Sequence, residues 1–573
     1  MTQDTNGTAR REGRTGQGAI SRRTLVTGAT ATLGAAAIGT LAVRGGLAQE
    51  QSGTSPATPN VLSSTPVPDE VTANASAWPV AQGNLQATRA AKDSPITAET
   101  VSTLAPLWTV PITVSGNFSG ITANAVIIDD TIYYQDMQSN VFALELATGK
   151  EIWRYDTNVP NNGPNGVAVA YGMVYAATGD TSVVFALDQK TGALIWENDV
   201  SNGDFECIDM APAVYDNTVY ISTNPNNVTN GNYRGGARGI LFALDAKGGS
   251  TLWSFDTAAD NLWGNPRTNS GAGIWYPPSF DEAGSIYFGT GNAGPYPGNA
   301  EYPNGSSRPK PNDYADSMVS LSLETGGVNW FINAKPHDLF DHDFQQSPVL
   351  AEVTFPNNTE PTLIAVGAGK TGTVIACEAK SGGLLWKTAV GKHENDDREW
   401  LPEGTTRVYP GGLGGVESPI AFGDGKIFAP YIDFPLYVKP DNVDSSVPND
   451  ITQATGGLAA IDAITGDIVW DMKQNAMVVA GATVVNDLVF SGALDGYLRA
   501  HDVKTGEVVW QWEAPAGLNA PLAVAGDTIV FAAGAPIFVA TEQDGTPIAT
   551  PAGSTPAAAR QPSPQIVALK LGA

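Results

Sequence analysis

Cysteine, histidine and basic side chains are what this chain has least of. Two cysteines, Cys207 and Cys377, and four histidines serve 573 residues. Two cysteines cannot build a disulfide scaffold or a thiolate metal cage. No CxxCH run occurs, so the chain carries no c-type haem of its own. Lys and Arg number 31 against 58 Asp and Glu, a net charge of −27. A surface of that sign repels phosphates, so nucleic acid is excluded as a partner, while a basic protein remains compatible. Beyond residue 43 no apolar run is long enough to span a bilayer, and no helix-period pattern of useful length appears.

What is plentiful points to turns and strands. Gly (63) and Pro (39) are abundant, and 42% hydrophobic residues provide ample core material. Near the N-terminus, Ser21-Arg22-Arg23-Thr24-Leu25 precedes the uncharged run 24–43, and Gly46-Leu47-Ala48 offers a small-residue cleavage site. Residues 1–48 therefore read as a twin-arginine-type export signal, with a retained membrane anchor as the alternative. A cleaved signal makes the protein periplasmic, cell-envelope-associated or secreted, with no stable membrane insertion expected. Residues 49–80 are rich in Ser, Thr and Pro and read as a flexible linker; 541–564 read as a low-complexity loop.

Between those tracts the chain repeats itself. FALELATGKEIW (142–153), FALDQKTGALIW (185–196), FALDAKGGSTLW (242–253), VSLSLETGGVNW (319–330), IACEAKSGGLLW (375–386), AAIDAITGDIVW (459–470) and RAHDVKTGEVVW (499–510) share one plan. A short apolar strand meets a polar turn with Gly at a fixed offset, then a second strand ends in Trp. Gly supplies the positive φ that the tight turn needs, so each copy is a hairpin. Such radial repetition of small sheets predicts an all-β propeller, each Trp docking one blade on the next. Leu107-Trp108-Thr109-Val110 resembles the end of an eighth copy, and Gln565–Leu571 carries a matching strand with no turn after it. The expectation is an eight-bladed β-propeller over 81–573, its ring closed by N- and C-terminal strands that protect the edges.

One stretch breaks the charge-poor pattern. His337 to Pro348 reads HDLFDHDFQQSP and places His337, Asp338, Asp341, His342 and Asp343 within seven positions. An anonymous charge run is usually a solvated loop, so its neighbours must decide.

The repeat resembles that of the quinoprotein alcohol dehydrogenases, propellers that hold pyrroloquinoline quinone (PQQ) and a metal ion near their axis. The resemblance covers roughly residues 80–572. Non-enzymatic propellers of the outer-membrane assembly scaffold type share the repeat, so the segments between repeats carry the functional argument. The family has an HDxWDxD-like segment after its fourth Trp motif, where this chain has His337–Asp343. That match implies Asp341 as catalytic base and Asp343 as the extra carboxylate of the lanthanide-using branch. On an extended backbone the two would point the same way, as ligands on one ion require. Gly289-Thr290-Gly291-Asn292 is similar to the family's GTGN and implies Asn292 as a metal ligand. Trp275 matches the indole beneath the quinone and Lys370 the lysine that contacts its carbonyls, both therefore cofactor-binding. Calcium and a lanthanide both remain open as the metal.

Departures are as definite. The family's metal-binding Glu is absent where Thr223–Asn227 stands, its adjacent-cysteine disulfide is missing, and Asn165 aligns with its Arg. Glu417, in Tyr409–Pro419, is a candidate replacement carboxylate. Cys377 occupies a core position of the repeat, and Cys207 sits in a connection beside Glu206 and Asp209. The resemblance implies an exported oxidoreductase oxidising an alcohol or sugar and passing electrons to a separate acceptor such as a cytochrome. The alternative is a catalytically inactive propeller serving as a binding or assembly scaffold. A hydrolase using the Asp pair is weaker, since no nucleophile motif accompanies it.

Overall fold

A computed structural model describes residues 65–538 and 561–573, apart from 92, 116–118, 202–205, 227–233, 310 and 357. The expected export signal at 1–48 and residues 541–560 of the expected loop lie outside the described residues. The architecture is an all-β propeller. Among the described residues there are six four-stranded and two five-stranded sheets, beside small two- and three-stranded ones. The larger sheets follow the chain at 126–155, 168–199, 213–256, 279–333, 349–389, 421–474 and 478–513, and a last one joins 523–535 with both ends of the described chain. In that last sheet Leu104–Pro111 pairs antiparallel with Gln565–Leu571, Trp108 lying opposite Ala568.

Within each sheet burial depends on position. Second strands such as Met173–Ala177 and Thr218–Ser222 are buried along their whole length, covered by a neighbouring sheet on both faces. Last strands such as Thr251–Asp256 are mostly exposed, because they form the outer edge.

The repeat's Trp and Gly explain how neighbouring sheets dock. Trp153 Nε1 donates to Gln189 O at 3.0 Å, Trp253 Nε1 to Leu323 O at 3.1 Å and Trp386 Nε1 to Ala463 O at 3.1 Å, each acceptor lying in the next repeat's turn. The glycine of that turn lies against the same ring: a Cβ at Gly192, whose φ is +70°, would stand 2.6 Å from Trp153 Cε3. Glycine is required there twice over, by the left-handed backbone and by the indole. The sequence pattern concealed one device. In every repeat the register shifts just before Trp, as between Ala143 and Leu144 opposite Trp153 and Glu151. This bulge leaves Ile152 unpaired and increases the local twist where the indole turns toward the next sheet.

The segment expected as the end of the linker packs instead. Asp69–Ala73 is a short helix, Glu70 Oε1 accepts from Gly172 N at 2.8 Å, and Trp78 is fully buried. Successive carbonyls then accept from the first strands of different sheets: Trp78 O from Ile127 N, Leu85 O from Phe280 N, Gln86 O from Leu350 N, Thr88 O from Phe422 N and Arg89 O from Val484 N, all at 2.8–2.9 Å. A strap that meets so many first strands crosses the centre of the propeller. Its Arg89 is fully buried and bonds to Gln82 Oε1, Asn124 Oδ1, Thr483 Oγ1 and backbone carbonyls, including Ala482 O at 2.8 Å. Among the described residues no helix is long and apolar enough to cross a membrane.

Candidate active site

The crowded segment 337–343 is a turn, and its composition explains why. Asp338 is fully buried and its carboxylate accepts from Phe340 N and His342 N, both at 3.0 Å. Those bonds coil the backbone, and Leu339 and Phe340 drop into a cluster with Leu401, Val408 and Val438. Asp341 is thereby held at φ +65°, in the left-handed region. The extended backbone expected for Asp341 and Asp343 is therefore replaced by a turn. Both histidines serve the scaffold: His342 Nε2 donates to Pro410 O at 2.8 Å, and His337 Nε2 lies 3.1 Å from Asn304 O.

The two carboxylates still converge, on a lysine. Lys370 Nζ lies 3.1 Å from Asp341 Oδ2 and 2.7 Å from Asp343 Oδ2, and stands 4.7 Å from the centre of the Trp275 ring. Asp343 Oδ1 accepts from the Asn292 backbone N–H at 2.6 Å. Trp275 is held alongside, since Gly291 N donates to Gly273 O at 2.7 Å. A Cβ on Gly291 would lie 3.0 Å from Asp343 Oδ1 and 3.4 Å from Trp275 Nε1, so glycine keeps that face open. All five residues singled out in the sequence, Trp275, Asn292, Asp341, Asp343 and Lys370, thus meet in one place. Burial pushes both aspartates above the usual carboxylate range, with Lys370 pulling the other way.

Further groups complete the site. Val416 N donates to Gly369 O at 2.9 Å, laying the Tyr409–Pro419 loop along the lysine segment. Glu417 thereby joins the cluster, with Gln345 Nε2 3.4 Å from its Oε2 and Tyr276 OH 3.2 Å from its backbone O. Burial pushes its carboxyl up to about 8 against the pull of Lys370. Tyr276 and Gln345 escaped the sequence reading, although they stand one and two residues after Trp275 and Asp343. On the departing side, Asn224 is buried beside Gly273, a Cβ on which would overlap Asn224 Oδ1. Asn224 Nδ2 donates to Asp209 Oδ2 at 3.3 Å, and Cys207 Sγ lies 3.3 Å from the same oxygen. Cys207 and Cys377 are both buried and free, so the two are not bridged. Asn165 Nδ2 donates to Asp136 O at 2.8 Å.

Comparison with known proteins agrees with this architecture. A model of the glucose, ethanol and alcohol dehydrogenase β-propeller domain matches residues 204–397. A model described as the outer membrane protein assembly factor BamB matches 92–294 and 451–568. The chain is 25% identical over 502 residues to a putative dehydrogenase XoxF of Paracoccus denitrificans, covering 74% of this chain and 80% of that protein. It is 27% identical over 470 residues to the quinohemoprotein alcohol dehydrogenase ADH IIB of Pseudomonas putida, covering 71% of this chain and 65% of the relative. Among solved structures, the quinohemoprotein alcohol dehydrogenase of Comamonas testosteroni superposes with a TM-score of 0.72 at 20% identity, over 88% of this chain and 82% of that one. A europium-containing methanol dehydrogenase gives 0.69 at 21% identity, over 88% and 100%.

By these matches the chain resembles the quinoprotein alcohol dehydrogenase β-propellers.

That family implies PQQ and a metal ion; the residues present offer a face to the first and oxygen acceptors to the second. Trp275 offers a planar face under a cation, while Gly291 and Gly412, whose Cβ atoms would meet Asp343 and Asp341, leave the surrounding space free of side chains. Asp341 Oδ1, Glu417 Oε1 and Asn224 Oδ1 are buried acceptors without a hydrogen-bond partner. Oxygen acceptors of this kind suit a hard cation. Lys370 holds both aspartates, however, and among the described residues no group of three or more His, Cys, Asp or Glu side chains is arranged to bind a metal. The oxygen set at this site mixes carboxylate with amide.

Proposed function

We propose that the chain is an exported PQQ-dependent dehydrogenase that oxidises an alcohol or sugar, using a bound calcium or lanthanide ion and a separate electron carrier such as a cytochrome. The dehydrogenase class follows from the family. The observation that carries the site is Asp341: a carboxylate in left-handed backbone, with Oδ2 on Lys370 and a buried, unpartnered Oδ1. An acceptor oxygen kept without a partner beside a fixed ammonium suits a general base for the substrate hydroxyl. A bound PQQ would supply the hydride acceptor for the alcohol carbon. Trp275 would stack beneath that planar cofactor, and Lys370 would stabilise negative charge developing on its oxygens. Asp341, Asp343 and Asn292 would hold the metal, which must then compete with Lys370 for the aspartate oxygens.

The eight large sheets are read as the blades of one ring, closed where Leu104–Pro111 pairs with Gln565–Leu571. Export rests on Arg22-Arg23 and the uncharged run after them.

The test is titration of the mature protein with PQQ, with calcium and separately with a light lanthanide, following cofactor absorbance and dye-linked oxidation of an alcohol panel. Stoichiometric, metal-dependent uptake with turnover is expected, and Asp341→Asn should lower the rate by roughly 10²–10⁴-fold while retaining PQQ. Absence of PQQ uptake with either metal would refute the reading.

A further inference from the structure

Large apolar side chains exposed on this protein mostly belong to the repeat. They sit on outer-edge strands one or two residues before the repeat Trp, as Ile152 and Leu252 do. Trp400 and Leu413 do not. They lie in the connections 390–405 and 409–420, at 66% and 37% exposure, and Trp400 is the most exposed large apolar side chain among the described residues. A lone exposed Leu or Val needs no explanation, whereas Trp is the residue type most enriched at the centres of protein interfaces.

Both flank the turn that carries Asp341. Leu401, next to Trp400, is buried in the cluster with Leu339 and Phe340. Asn304 clamps it there: Leu401 N donates to Asn304 Oδ1 at 2.7 Å, and Asn304 Nδ2 donates to Leu401 O at 3.3 Å. Gly412, next to Leu413, lies against Asp341 itself, since a Cβ there would stand 2.9 Å from Asp341 Oδ2. Trp400 and Leu413 are thus held beside the site by backbone that is already fixed, so ordering them for a partner costs little. The charge around Trp400 has a definite sign. Asp397, Glu399 and Glu403 are exposed and make no ion pair among the described residues. The nearby cations are engaged instead. Arg407 bonds both oxygens of Glu394, Lys392 Nζ stands 4.1 Å from the centre of the Tyr409 ring, and Arg398 Nε donates to Asn395 Oδ1 at 2.8 Å.

We propose that Trp400 and Leu413, with Asp397, Glu399 and Glu403 about the indole, form the docking surface for the one-electron carrier, and that this carrier is a basic protein. This inference rests on the dehydrogenase reading. R–CH2–OH and two oxidised carriers give R–CHO, two reduced carriers and two H+, so two carriers must dock and leave for each alcohol oxidised. A small apolar anchor inside charges of one sign suits such traffic, because the charges speed encounter and the anchor fixes orientation. The net charge of −27 attracts a basic carrier from every approach, and the acids beside Trp400 decide where it lands.

The experiment has a binding arm and a turnover arm. In the first, the mature protein is titrated with a lysine-rich basic cytochrome c, and with an acidic cytochrome c as control, at low and at physiological salt. Wild type should bind the basic cytochrome, more weakly as salt rises. Trp400→Ala should weaken that binding at least about tenfold, and Leu413→Ser by a smaller factor. Asp397→Asn combined with Glu399→Gln should lower the association rate and flatten the salt dependence. In the second arm PQQ-loaded protein oxidises an alcohol with either the basic cytochrome or a small neutral dye as acceptor. The Trp400 and charge variants should slow cytochrome reduction and leave dye reduction unchanged. Binding that is absent in wild type, unchanged in these variants or equal for the two cytochromes overturns the proposal, while dye-linked turnover keeps the dehydrogenase reading standing. Self-association of wild type that is lost in Trp400→Ala identifies a second copy as the occupant and also overturns it. Absence of dye-linked turnover in wild type overturns the dehydrogenase reading and the carrier proposal with it.

Discussion

The rim and the mouth of this propeller obey opposite rules. At the rim each repeat indole donates to a carbonyl of the next turn, and glycine takes the left-handed φ and the space against the ring. At the mouth Asp341, which is no glycine, holds φ +65°, and Asp341 Oδ1, Glu417 Oε1 and Asn224 Oδ1 are buried without partners. A non-glycine in that backbone region costs about 1–3 kcal/mol, and a buried unanswered polar atom a similar amount. Left-handed non-glycines also occur in hairpin turns, as at Asp129 and Asp130, but at the mouth that backbone coincides with buried oxygens that have no partner. The difference separates residues that make the fold from residues kept for chemistry.

The comparison breaks most visibly at Lys370. Lys370→Met would leave Asp341 and Asp343 buried without their ammonium, at a cost of roughly 3–5 kcal/mol. Urea unfolding should show that loss grow with pH, because protonation relieves the two carboxylates in acid. At the rim, Gly192→Ala places a Cβ 2.6 Å from Trp153 at φ +70° and should destabilise by about 2 kcal/mol. That variant should leave PQQ uptake unchanged, since it lies far from the site in function as well as in sequence.

Glu417 sharpens the comparison through pH. Its folded-state carboxyl stands at about 8 against an ordinary 4.5, so the folded form binds the extra proton between those values. The corresponding stability is fully present below about 4.5 and lost as pH rises through about 8. In cofactor-free protein Glu417→Gln should flatten that decline, read as a smaller fall in the urea midpoint between acid and alkaline pH. An unchanged decline would mean that solvent reaches the carboxyl.

Much of this was legible before any coordinates. The Trp and Gly spacings are repeated, so a single physical rule, hairpin plus docking indole, explains every copy. Trp275, Asn292, Asp341, Asp343 and Lys370 were also legible, since each lies in a short local motif. The turn at Asp341 was hidden, because side-chain bonds from Asp338 to Phe340 N and His342 N override the extended geometry that alternation suggests. Glu417 was visible only as a guess. Its partners Gln345 and Tyr276 lie 72 and 141 residues away, and only the fold brings them together. The packing of 65–80 was masked by its Ser, Thr and Pro content, which resembles a tether until Trp78 finds its pocket.

The smallest effect tests whether the rim is as uniform as its repeat. Trp330→Phe and Trp386→Phe each keep a ring and remove one indole donor, to Ala379 O at 2.8 Å and Ala463 O at 3.1 Å. Ala379 O also accepts from Tyr287 OH at 3.2 Å, so it keeps a partner when Trp330 is changed. Trp386 is the buried member, and the loss of its bond costs about 1 kcal/mol, with Trp330→Phe falling below that. Chemical denaturation of the two variants side by side checks the order. Equal losses would show that the docking bonds act as interchangeable copies. The expected inequality would show that a second donor makes one blade junction less dependent on its tryptophan than another.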